Sequence, residues 1–129
     1  MEPNIREKEN AIATAHIVAK ELGLTTSQAK QAAIVAMENL LLFDKKQKDY
    51  GPYNICGNPH PQLGVAFRAG DKVNRLLNLF IKCDSGTPSN ESVADSWSDL
   101  ANYGLIGTLL ARDVWLKDPT PPPTPTKQA

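Results

Sequence analysis

The sequence predicts an all-α protein: a compact bundle of about four helices, with a long irregular loop after the second and a disordered proline-rich C-terminal tail. Two observations carry that prediction. Apolar residues recur at three- and four-residue spacing through four long stretches, while glycine and proline gather in the intervals between them. At 129 residues the chain is long enough to bury one core but not two. The helical domain is therefore set at residues 1–117 and the tail at 118–129.

The first helix runs from about Ile5 to Leu22, with Ile12, Ala15, Ala19 and Leu22 at helical spacing and Gly23 available to end it in a left-handed conformation. His16 has no companion at metal-ligand spacing and reads as a packed or rim histidine. Thr25 followed by Gln28 fits a capping box for the second helix. That helix carries Ala29, Ala32, Ala33, Ala36, Met37, Leu40 and Leu41, a small-residue face suited to close helix pairing. Glu38 interrupts this apolar run and is expected to face the last helix.

Helix signals stop at Gly51-Pro52, and Cys56 to Gly64 reads as loop. Cys56 and His60 are too few for a metal site. Val65 to Ile81 reads as a third helix, with Val73, Leu76, Leu77 and Phe80 turned inward and Arg68, Lys72 and Arg75 forming a basic stripe on its other side. Ser89 or Asn90 caps a fourth helix running to about Trp115. On it Glu91, Asp95 and Asp99 recur every four residues, one acidic stripe that needs a metal, basic side chains or solvent to compensate it. From Asp118 onward the prolines exclude a helix or a central strand.

Lys+Arg and Asp+Glu balance at 14 each. A formal charge of zero gives no general attraction to nucleic acid or membrane, so no extended nucleic-acid surface is expected and binding must come from local clusters. No apolar run is long enough to span a bilayer, and the amino terminus does not resemble an export signal. Cys56 and Cys83 read as free thiols in a reducing compartment. The expectation is a cytoplasmic protein without a membrane partner, in the host cytoplasm if phage-encoded.

Three polar clusters follow one another: Lys48-Asp49-Tyr50-Gly51 with Asn54-Ile55, then Arg68 with Asp71-Lys72 and Arg75-Leu76, then Glu91-Ser92 with Asp95, Asp99-Leu100 and Asn102-Tyr103. In that order they resemble the nucleotide modification associated domain 1 family of bacteriophages and bacteria, over roughly residues 43–106. The resemblance implies a small all-helical domain tied to nucleotide or base metabolism. A more distant similarity is to the all-helical nucleoside triphosphate pyrophosphohydrolases of the MazG type, in which two acidic helices hold magnesium against nucleotide phosphates. Glu91 and Asp95 would correspond to the acidic pair on the later helix. The earlier helix departs from that pattern, since it supplies only Glu38.

The residues thus nominate a nucleotide or phosphorylated small molecule as ligand. Lys48, Asp49, Tyr50, Tyr53, Asn54, Arg68, Lys72, Arg75 and Asn102 are the candidate contacts, because guanidinium and ammonium groups match phosphates, tyrosines stack on a base and amides read its edge. Glu91, Asp95, Asp99 and Glu38 are the candidate ligands for magnesium, a hard cation that takes oxygen donors. The preferred reading is a phage-associated nucleotide-binding protein, a homo-oligomer, acting in nucleotide or base modification. Its alternatives are a magnesium-dependent nucleoside triphosphate pyrophosphohydrolase, an anti-defence protein sequestering a signalling nucleotide, and a helical protein-interaction module.

Overall fold

The computed structural model describes residues 3–82 and 90–123, the side chains of residues 90–92 excepted. It is all-α: α1 spans Ile5–Leu22, α2 Ser27–Tyr50, α3 Tyr53–Cys56, α4 Pro61–Ile81 and α5 Asn90–Ala111. α1 pairs with α2, α4 pairs with α5, and a thinner seam between α2 and α5 joins the two hairpins.

Local chemistry explains the boundaries. Asn4 and Glu7 form a reciprocal capping box at the start of α1. Gly23, at φ 69°, ends it, its N–H donating to the carbonyls of Ala19 and Lys20. The cap of α2 is Thr26, not Thr25: its hydroxyl accepts from the Ala29 N–H at 3.1 Å. Gly51 ends α2 at φ 74°, where a side chain would be strained.

The interval after α2 is less irregular than its composition suggests. A single turn, α3, sits inside it, and α4 begins at Pro61 instead of Val65, because proline at the first helical position sacrifices only an N–H that has no intrahelical acceptor. α5 stops at Ala111, short of Trp115. Asp113 takes a left-handed φ of 55°, and the Val114 N–H closes back onto the Leu109 carbonyl. Ser89 and the free thiol of Cys83 lie outside the described residues, and Asn90, the other expected cap, is the first residue of α5 with its side chain outside the description. Residues 118–123 carry no helix or strand, in keeping with their prolines.

Two small cores result. Between α1 and α2 the buried residues are Ala11, Ala15, Ala19 and Ala33, so the helices approach closely on alanines, and Ile12 and Leu22 stay exposed. The second core joins Ile55, Val65 and Ile106, with Phe43, Tyr103, Leu110 and Trp115 packed against it. Trp115 folds back from the end of α5 to meet Phe43 edge to face, ring centroids 6.3 Å apart, and its Nε1 donates to the Pro52 carbonyl at 3.0 Å. On α4 only Val65 and Leu76 are buried; Val73, Leu77 and Phe80, expected inward, are exposed. With α5 as its main neighbour, α4 covers a narrow stripe and leaves a broad apolar arc turned away.

Candidate functional site

A cleft of about 390 Å³ opens where α2, α3, α4 and α5 meet, lined by Phe43, Lys46, Gln47 and Tyr50 from α2, Asn54 and Ile55 from α3, Arg68 from α4, and Asp99, Asn102, Tyr103 and Ile106 from α5. Its floor is the second core, since Ile55 and Ile106 belong to both. The volume falls in the range of small-ligand sites.

Asp99 organises the charge there. Its Oδ1 accepts from Lys46 Nζ at 2.8 Å and its Oδ2 pairs with Lys72 Nζ at 2.9 Å, so α2, α4 and α5 converge on one carboxylate. Burial pushes that carboxyl up, but the hydrogen bonds and charges of Lys46 and Lys72 outweigh burial and hold it below the usual aspartate range. Arg68 is the second cation lining the cleft, beside Lys46, and forms no ion pair with a described residue. Two lining cations against one lining anion leave the site with a positive surplus.

Asn102 supplies the second distinctive feature. It is 6% exposed, and its Nδ2 donates to the Asn39 carbonyl at 3.3 Å. That bond fixes the amide's orientation, because a carbonyl accepts only a donor. Asn102 Oδ1 is left buried with no partner, on the residue that lines the cleft. A buried acceptor without a donor costs about 1–3 kcal/mol, which a ligand N–H or O–H would relieve.

Of the candidate ligand contacts, the fold brings Tyr50, Asn54, Arg68 and Asn102 to this cleft, and Lys72 reaches it through Asp99. Lys48, Asp49, Tyr53 and Arg75 do not line it; Lys48 instead pairs with Asp44 one turn back on α2 at 3.1 Å. Phe43, Lys46, Gln47 and Tyr103 line the cleft without having been singled out as contacts. Lys46 carried a readable signal, since it lies three residues after Phe43 and four before Tyr50 on one face of α2.

The candidate magnesium ligands separate. Asp99 is engaged by two lysines. Glu38 and Asp95 line a neighbouring cleft of about 240 Å³ that also includes Asn39, Lys46 and Asp99, so Glu38 does face α5 across the seam. The Glu91 side chain lies outside the described residues. Among the described residues no three His, Cys, Asp or Glu side chains come together in a way that would hold a metal ion.

The chain was compared with protein-family models, with curated proteins and with solved structures, and it matches none of them. No helix among the described residues is long and apolar enough to cross a membrane.

Proposed function

We propose that the chain is a nucleotide-binding protein acting in nucleotide or base modification of a phage, and that the cleft at Asp99 and Asn102 is its binding site. One observation supports the reading: cationic side chains, aromatic rings and Asn102, whose buried amide carbonyl has no partner, line the same cleft. Arg68 and Lys46 suit phosphate oxygens, Arg68 through its planar donor fork. Phe43, Tyr50 and Tyr103 offer ring surface for a base, and Asn102 Oδ1 accepts an N–H from its edge. The reading takes the working form to be a homo-oligomer.

The reading does not rest on magnesium: Asp99 is engaged by two lysines, and among the described residues no three acidic side chains come together in a way that would hold a metal ion. The reading therefore assigns binding and no hydrolytic step. Calorimetry with linear and cyclic nucleotides, with and without magnesium, tests it. Metal-independent binding that weakens in Arg68→Ala is the expected result. Absence of binding across the set would sink the reading, and release of pyrophosphate or monophosphate only with magnesium would replace it with the hydrolase alternative.

A further inference from the structure

We infer that the cleft takes a nucleotide carrying a single phosphate group, and that Asp99 is the residue that sets this limit. The inference rests on the proposed reading of the cleft as a nucleotide site and deepens it. Lys46 Nζ and Lys72 Nζ stand 2.8 and 2.9 Å from the two oxygens of one carboxylate, so each ammonium group already has an anion at contact distance. The Asp99 side chain is 17% exposed, and charges act on one another more strongly at such a site than in open water. Arg68 is the lining cation that forms no ion pair with a described residue, and its planar fork matches one phosphate group. An ammonium group has three donors, and Asp99 takes one of those on Lys46, so Lys46 can serve that same phosphate.

Charge and space both stop there. With Lys72, which reaches the cleft only through Asp99, three cations stand against one anion, a surplus of about two charges. A phosphate monoester carries about −1.5 to −2 at neutral pH, which that surplus balances. A triphosphate brings further anionic groups for which the cleft has no lining cation left. The cleft's volume of about 390 Å³ lies near the lower end of small-ligand sites, which run from about 300 to 1,000 Å³, so a short ligand suits it better than one with an extended phosphate chain. The adjoining cleft of about 240 Å³ shares Lys46 and Asp99 and adds Glu38, Asp95 and Lys8. Three carboxylates face two ammonium groups along its lining. Phosphates that ran past Lys46 and Asp99 would enter a space of net negative charge and be repelled from it.

Calorimetry on the full-length chain tests the inference, with the mono-, di- and triphosphates of the common ribo- and deoxyribonucleosides and with cyclic mononucleotides, in EDTA and again in magnesium. For the base that binds, the monophosphate is expected to bind about tenfold tighter than the triphosphate. A triphosphate that binds as tightly as its monophosphate or more tightly, in either buffer, overturns the inference and leaves the nucleotide reading standing. No binding of any nucleotide, linear or cyclic, overturns that reading and the inference with it. In Asp99→Asn, with helical circular dichroism retained, the triphosphate is expected to gain about tenfold and the gap to close; a gap as wide as in the wild type overturns the role of Asp99. Should that variant unfold, Glu38→Gln/Asp95→Asn decides, because it leaves Asp99 and its two lysines in place: a narrower gap supports the inference, and an unchanged one overturns it.

Discussion

Lys46 Nζ stands 2.8 Å from Asp99 Oδ1, while Lys72 Nζ stands 2.9 Å from the other carboxylate oxygen. A single α5 side chain thereby ties α2 to α4 at the point where the two helical hairpins meet on their thinnest seam. Asp99→Asn keeps the shape and removes the charge, leaving two ammonium groups close together without their counter-ion. It is expected to lower the unfolding free energy by about 1–2 kcal/mol, more than an exposed pair is worth because the carboxylate is largely covered. Urea denaturation measures this; a loss below about 0.3 kcal/mol would place the network among inert surface pairs.

The same carboxylate predicts a pH dependence. Burial raises its pKa, the hydrogen bonds and charges of the two lysines lower it by more, and the net position is below the ordinary aspartate range. A carboxyl depressed by folding binds fewer protons in the native state than in the unfolded chain, so stability rises with pH across that window. Its contribution is complete above the ordinary aspartate pKa and is lost as pH falls through the depressed value. The stability difference between wild type and Asp99→Asn is expected to be flat near neutrality and to shrink in acid. A difference that persisted unchanged into strong acid would mean that the effect is not ionic.

Trp115 is expected to hold the exit of α5 in place. Trp115→Phe keeps the ring against Phe43 but removes the Nε1 donor to the Pro52 carbonyl, a loss of about 1 kcal/mol. Trp115→Ala also opens the second core and is expected to cost about 2–3 kcal/mol, since the indole is only partly buried. Thermal melts followed by circular dichroism separate the two; equal losses would show that the hydrogen bond, and not the packing, matters.

How far these features were legible follows from what each depends on. The span of α1 and the existence of the other long helices rest on local periodicity and turn chemistry, which the sequence states directly. The start of α4 at Pro61 and the turn of α3 were missed because a proline-rich interval reads as loop unless the proline is recognised as a first helical residue. Which face each helix buries was less legible. Periodicity marks the apolar arc of α4 but not which half of it α5 covers, so Val73, Leu77 and Phe80 were expected inside. The site divided the same way. The opposition of basic α4 to acidic α5 was readable from spacing, yet the pairing of Lys72 with Asp99, and the entry of Lys46 from α2, depend on how the hairpins dock.

Asn102 offers the sharpest test of the cleft. Its Oδ1 is buried and unpartnered while Nδ2 is held by the Asn39 carbonyl, on a residue that lines the cleft. Asn102→Ala is expected to weaken nucleotide binding about tenfold, roughly 1.4 kcal/mol. Arg68→Ala is expected to weaken it comparably and to flatten its salt dependence, because the lost contact is with phosphate charge. Arg75→Ala, one and a half to two turns further along α4 and outside the cleft, is expected to change affinity less than about twofold. Calorimetry at two ionic strengths distinguishes the three variants. If Arg75→Ala proved as damaging as Arg68→Ala, the phosphates would lie along the basic face of α4 and not in the cleft, and Asn102 would then be a structural residue whose loss shows in stability alone.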